Sequence, residues 1–369
     1  MHRGLYVHIP FCVRKCRYCD FTSFSGADSR FDAYLSALEA EAGEYRGADI
    51  GTVFIGGGTP SILSAEQLTR LFHIISANFN LTDTAEFTVE ANPGTLTPQK
   101  AAALKNGGVN RVSMGAQSFN DTELKFLGRI HDAQTAYESA ALLHKSGFNN
   151  INIDIMTSVP AQTRESLLET LKTAVSLPIT HISAYSLILE KGTPLCDDYK
   201  NGKFAPLDDD FDRDNFDMLT DFLETAGFHR YEISNFAKDG YECAHNKKYW
   251  RCEEYIGIGL AAHSYIDGAR FYNTSDMESY LNGDFHSGDV ERLSVSDMMS
   301  EFMMMGLRMT RGVSADDFFK RFSRSIISVY EKPLKKFLQN GLMHEKNGRY
   351  MLSRRGLDVS NSIMCEFIL

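Results

Sequence analysis

The 369-residue chain has one tryptophan, no apolar run long enough to cross a membrane, no internal repeat and no low-complexity tract. Those absences exclude a helical membrane protein, a solenoid and a disordered polar chain. The first residues, Met1-His2-Arg3-Gly4, lead directly into an apolar, strand-like segment, without the charged, apolar and small-residue succession of an export signal. A disulfide framework is equally poorly served. The seven cysteines are an odd number, and three of them fall between Cys12 and Cys19, which suits metal ligation in a reducing compartment. The expected location is the cytoplasm.

Charge narrows the class further. A formal net charge of -10 argues against a nucleic-acid binder, although the sign reverses locally. From Phe318 to Arg355 ten basic residues face two acidic ones, a net of +8. That stretch reads as a solvated helical face, with a docking patch for a partner protein or anionic lipid as the alternative. The acidic run Asp208, Asp209, Asp210, Asp212, Asp214 and Asp217 reads as a solvated loop and the first turn of a helix.

Short apolar runs alternate with helical patterns, the order expected of βα units and a parallel sheet. Six strands are expected, at 5–9, 52–55, 86–90, 111–116, 150–156 and 181–185. Between them Phe31, Leu35 and Leu38, and Leu68, Leu71, Phe72 and Ile75, repeat at helical spacing. Asn152 and Asp154 alternate with isoleucines, which gives that strand a polar face toward a lined cavity. The chemically unusual residues gather at the carboxyl ends of these strands, where barrel enzymes place their sites. The expected fold is α/β, an incomplete (β/α)6 barrel over residues 1–200. An extension over 201–290 follows, then a small winged-helix-like unit over 291–369 with a hairpin turning at 346–349.

The cysteines Cys12, Cys16 and Cys19 are spaced C-x3-C-x2-C on a loop, with no fourth cysteine nearby. A closed zinc site needs four ligands, and electron-transfer clusters usually have four cysteines. Three thiolates instead hold three irons of a 4Fe-4S cubane and leave one iron open. An open iron can chelate the amino and carboxylate groups of S-adenosylmethionine and pass an electron to its sulfonium. The run Gly56-Gly57-Gly58-Thr59-Pro60 after the second strand lets a ligand approach the backbone and is expected to leave its amides free to donate.

With these motifs, the chain resembles the radical S-adenosylmethionine proteins related to oxygen-independent coproporphyrinogen III dehydrogenase, nearly end to end. The resemblance lies in Tyr6-Val7-His8-Ile9-Pro10-Phe11-Cys12, the glycine run, Glu90-Ala91-Asn92-Pro93 and Gly115-Ala116-Gln117-Ser118-Phe119. It implies that Tyr6, Gly57, Gly58, Thr59, Glu90, Gln117, Arg129 and Asp154 contact S-adenosylmethionine. Arg129 can fork a carboxylate, and Glu90 and Asp154 can accept from ribose hydroxyls or an ammonium group.

Within that family the dehydrogenase carries a further cysteine two residues after the third ligand, where this chain has Phe21. The run His245-Asn246-Lys247-Lys248-Tyr249-Trp250 resembles the H-N-x-x-Y-W signature of the HemW-type heme-chaperone branch, whose members hand heme to membrane respiratory proteins. An imidazole from His245 can ligate heme iron, as can His263 or Cys243. Tyr249 and Trp250 offer flat surface to a porphyrin, and Asn246 completes the heme-binding candidates. Met298, Met299, Met303, Met304, Met305 and Met309 read as one helix that packs a core. Cys196, Cys252 and Cys365 show no metal spacing and read as structural. The first expectation is therefore a heme chaperone that uses cluster, S-adenosylmethionine and heme and docks respiratory acceptors at the membrane surface. The alternatives are a coproporphyrinogen III dehydrogenase and a winged-helix nucleic-acid regulator with a cluster sensor.

Overall fold

The computed structural model describes residues 2–206 and 208–369. The chain opens with β1 (Arg3–Ile9), and the cysteine loop adds two short strands, β2 (Phe11–Cys12) and β3 (Phe24–Ser25). Five long strands follow: β4 (Ala48–Gly57), β5 (Phe79–Ala91), β6 (Arg111–Gln117), β7 (Ile151–Thr157) and β8 (His181–Ser186). All six expected strands are present. Three of them begin earlier than apolar content alone suggests, because the first residues of β1, β4 and β5, with polar Arg3, Asp49 and Asn80 among them, still pair in the ladder.

β1, β4, β5, β6, β7 and β8 pair in parallel in that order, with helices between them. The set does not close, because β1 and β8 do not pair. Beyond β8 lie β9 (His229–Arg230) and β10 (Asn235–Ala237). Beyond β1 the sheet continues through β11 (Tyr255–Ile258), β12 (His263–Ile266), β13 (Ala269–Asn273) and β14 (His286–Arg292). β11 runs parallel to β1 and is a seventh parallel strand that sequence pattern missed, since only Ile256 and Ile258 mark it. The central strands β6 and β7 are nearly continuously buried, whereas the edge strand β14 is almost wholly exposed. Every residue of β6 is buried, and Ile151, Ile153 and Ile155 of β7 are fully so. The helix Phe31–Glu44 buries Tyr34, Leu35 and Leu38, and Ala65–Asn78 buries Leu68, Leu71, Phe72 and Ile75. A Leu or Ile buried this completely stabilises the fold by roughly 1.5–3 kcal/mol.

The C-terminal unit has its own core. Helices Val295–Gly306, Ala315–Phe322 and Ile326–Gln339 bury Met303, Phe318, Ile326 and Leu334 against the sheet of β15 (Val313–Ser314), β16 (Met343–Lys346) and β17 (Arg349–Leu352). The β16–β17 hairpin turns through Asn347 and Gly348, with φ of 54° and 70°, the handedness that a two-residue turn requires. Met299 and Met303 are core residues, whereas Met298 is half-buried. Met309 falls outside the helix, which ends at Gly306 before the chain turns toward β15.

The acidic run caps and begins the helix Asp209–Thr225, through Asp208. Farther along this helix, Asp217 and Asp221 accept from Arg354 of the C-terminal unit at 2.8 and 2.7 Å. Part of the C-terminal positive charge is thus matched within the chain. No helix among the described residues is long and apolar enough to cross a membrane.

Candidate cofactor site and the motif helix

The cysteine loop is pinned against the rest of the fold. Arg17 donates to the Phe126 carbonyl at 2.9 Å and pairs with Asp198, and Arg14 donates to the carbonyls of Gly128 and Arg129. Held there, Cys12, Cys16 and Cys19 line a cavity of about 360 Å³ at the carboxyl ends of the parallel strands. Gly57, Gly58, Thr59, Glu90, Gln117, Arg129 and Asp154 line the same cavity. Among the described residues no three His, Cys, Asp or Glu side chains converge closely enough for a single metal ion. Three free thiols set around one cavity are the donor set for a cubane, whose irons occupy separate corners.

The glycine run behaves differently from the expectation of free amides. Gly58 and Thr59 donate to the carbonyls of Ile9 and Phe11 at 2.9 and 2.7 Å, and the Gly57 amide donates to Glu90 Oε2 at 3.2 Å. The reason is the close approach of the cysteine loop. A Cβ on Gly58 would stand 2.6 Å from the Phe11 carbonyl oxygen, and one on Gly57, at φ 106°, would enter the His8 ring. His8 is no metal candidate, because Tyr6 and the Thr22 carbonyl engage its two ring nitrogens at 2.9 and 2.8 Å. Tyr6 is not in the cavity wall and stacks on Phe54.

The polar wall is only partly satisfied from within. Arg129 donates to Asn92 Oδ1 at 2.6 Å, to the Gly115 carbonyl at 2.5 Å and to Cys16 Sγ at 3.2 Å, yet its buried Nε has no partner. Gln117 takes φ of 70° at the end of β6, where the register with β7 shifts, and its buried Oε1 is also unpartnered. A strained polar residue with an unmet acceptor marks a site built for a ligand. Burial pushes the Glu90 carboxyl up to about 7, with the nearby Asp154 charge adding to the rise. Asp154 is raised as well, chiefly by burial, and Asn152 Nδ2 donates to it at 2.6 Å. Two crowded carboxyls in a shielded cavity favour a cationic ligand. Asn92, Gly115, Tyr18 and Tyr185 also line this wall and were missed as site residues. Asn92 was detectable, since it sits two positions beyond Glu90 at the end of β5.

The H-N-x-x-Y-W run forms the helix Ala244–Trp250. Glu86 of β5 caps it, accepting from the Ala244 and His245 amides at 2.8 and 2.9 Å. His245 is buried, with Nδ1 at 2.9 Å from Thr52 Oγ1 and Nε2 at 2.9 Å from Tyr249 Oη. Burial drives its basicity down to about 3, so the ring is neutral. Both nitrogens are thus engaged, and iron ligation by His245 requires that clasp to open. Asn246 is half-buried, and Trp250 lies beneath the Arg308 guanidinium at 4.3 Å, its buried Nε1 unpartnered. Of the other ligand candidates, Cys243 is buried against Glu86 and His263 is exposed, stacked on Tyr272.

Comparison with known proteins supplies independent findings. The model of the Radical SAM superfamily matches residues 6–174, and that of the HemN C-terminal domain matches residues 293–359. The chain is 36% identical over 375 residues to heme chaperone HemW of Bacillus subtilis, covering 99% of each. It is 36% identical over 366 residues to that of Lactococcus lactis, covering 99% of this chain and 97% of the other. It is 34% identical over 379 residues to that of Escherichia coli, covering 99% and 98%. Among solved structures it is similar in fold to Escherichia coli coproporphyrinogen III oxidase, HemN, described as a radical SAM enzyme. The TM-score is 0.86 at 22% identity, over 100% of this chain and 90% of that one.

Proposed function

Because this chain belongs to the HemW family of radical SAM proteins, we propose that it is a heme chaperone, binding heme and passing it to acceptor proteins. The observation that carries the reading is identity above 30% along almost the whole length of both chains. The family implies a 4Fe-4S cluster and S-adenosylmethionine, and the cavity suits both.

Cys12, Cys16 and Cys19 would hold the cluster, which when bound supplies one electron at an iron with an open coordination position. The rest belongs to the chain. Arg129 presents a guanidinium, with Nε still unpaired, to a carboxylate, and Gln117 Oε1 accepts from a ligand donor. Glu90 and Asp154 receive an ammonium group, the sulfonium or ribose hydroxyls. Gly57, Gly58 and Thr59 bring the cysteine loop against β4, and Tyr6 buttresses His8 behind it. Phe21, exposed at the cavity mouth, stands where the dehydrogenase pattern has a further cysteine, so the chain lacks a thiol at that position.

In this reading the H-N-x-x-Y-W helix carries the heme face of the molecule. His245 and Tyr249 hold the helix in place, while Asn246 and Trp250 are the residues nearer heme. The acceptors are respiratory proteins that the chain meets from the cytoplasm at the membrane surface. Anaerobic cluster reconstitution followed by heme titration tests the reading, with coproporphyrinogen turnover assayed in parallel. Stable heme binding without turnover is expected. Turnover to protoporphyrinogen without a stable heme complex would replace the chaperone with an enzyme.

A further inference from the structure

A second cavity, of about 780 Å³, lies at the opposite end of the parallel strands from the cysteines. One wall comes from the start of β1 and from Trp250 to Glu254, just before β11. The other comes from the C-terminal unit. Its volume falls within the roughly 300–1,000 Å³ of small-molecule sites. Trp250, Phe302, Met298 and Met309 give it an apolar, polarisable lining, which suits a flat aromatic ligand.

The charges around it are arranged unequally. Glu254 is neutralised by Arg3 at 2.8 Å and Glu253 by Lys248 at 2.9 Å. Arg321 instead donates to the carbonyls of Arg251 and Cys252, and Arg349 to those of Arg311 and Gly312. Among the described residues no carboxylate pairs with either guanidinium or with Lys320, and Asp317 is the one lining carboxylate without a cation. The Arg321 clamp also holds Cys252 at φ 50°, a strained conformation for a non-glycine residue. The cavity therefore combines an apolar aromatic lining with fixed, unneutralised cations.

We propose that this cavity is the seat of the tetrapyrrole: its flat face lies on Trp250, Phe302 and the methionines, and its carboxylates meet Lys320, Arg321 and Arg349. The inference rests on the heme-carrier reading and adds where the carrier holds its cargo. It also explains why the last residue of the H-N-x-x-Y-W motif faces the C-terminal unit while its histidine is sealed in the interior.

The test titrates the full-length protein with hemin and, separately, with metal-free protoporphyrin IX, whose binding needs no iron ligand. Met298→Trp fills the cavity, Lys320→Glu reverses a charge at its rim, and Lys172→Glu reverses an exposed charge elsewhere. Met298→Trp and Lys320→Glu are each expected to weaken both probes by about tenfold or more, while Lys172→Glu leaves both unchanged. Circular dichroism verifies folding, and if Met298→Trp fails to fold, Lys320→Glu decides. Tight binding by the wild type with both folded cavity variants unaltered overturns the location. Failure of the wild type to bind either probe overturns the heme-carrier reading itself, and this inference with it.

Discussion

His245 and Thr52 are joined by a 2.9 Å hydrogen bond between the motif helix and β4, far apart in sequence and both buried. With Tyr249 on the other nitrogen, the imidazole is a structural bolt for the helix that presents Trp250. His245→Ala is expected to cost about 2–4 kcal/mol, from two lost hydrogen bonds and the space left behind. Chemical denaturation measures it. A variant as stable as the wild type would show that the clasp contributes little and that the ring is available to iron.

The same histidine gives the fold an acid limit. Its native pKa, about 3, lies below the usual 6.5, so its stabilising contribution is complete above about pH 6.5 and is lost as pH falls toward 3. Glu41 acts with the opposite sign. Buried beneath Tyr280 and Asn273, each donating at 2.5 Å, and the Gly259 amide at 2.8 Å, its carboxyl is pushed up to about 7 by burial. Its contribution is complete below about pH 4.5 and declines as pH rises through 7, by about 3 kcal/mol at most. Relative to wild type, Glu41→Gln is expected to shift the stability change between pH 5 and pH 8, measured by denaturation, in favour of pH 8, because it removes the decline that opposes the rise from His245. An unshifted change would refute the assignment.

Glu90→Gln isolates the carboxyl that faces the cysteine cavity. With the cluster reconstituted, its absorbance is expected to persist while S-adenosylmethionine affinity falls about tenfold, the loss of one charge-assisted contact. Equilibrium binding measures the change. Unaltered affinity would move the cationic end of the cofactor away from Glu90.

Much of this architecture was legible in the sequence, for physical reasons that differ by element. The six strands announce themselves because the core-facing side of each strand needs apolar residues, and Ile151, Ile153 and Ile155 supply them on one face of β7 while Asn152 and Asp154 take the other. The cysteines are legible because a loop brings three thiols together locally. Cavity residues such as Glu90 and Gln117 lie at strand ends, with Asp154 inside β7 beside them, where a parallel sheet collects residues distant in sequence. What sequence pattern concealed depends on tertiary closeness. The Glu86 cap on the Ala244 amide, the Arg321 clamp on Cys252 and the second cavity join segments with no shared periodicity. The glycine run misled in its own way: its composition signals close approach, but the partner is the Phe11 backbone.

Gly58 therefore offers a test that leaves every ligand in place. A methyl group there would stand 2.6 Å from one backbone oxygen and 2.9 Å from another, those of Phe11 and Ile9, which cannot rotate away. Gly58→Ala is expected to push the cysteine loop off β4 and lower reconstituted cluster content, although Cys12, Cys16 and Cys19 all remain. Iron and sulfide analysis beside Cys16→Ala gives the comparison. Cys16→Ala should lose cluster because one thiolate is missing, with a thermal midpoint near wild type, since the thiol forms no disulfide. Gly58→Ala should lose cluster together with stability, because Gly58 and Thr59 donate the hydrogen bonds that hold the loop. Full cluster content in Gly58→Ala would mean that the loop tolerates displacement and that the glycine serves some contact other than this backbone approach.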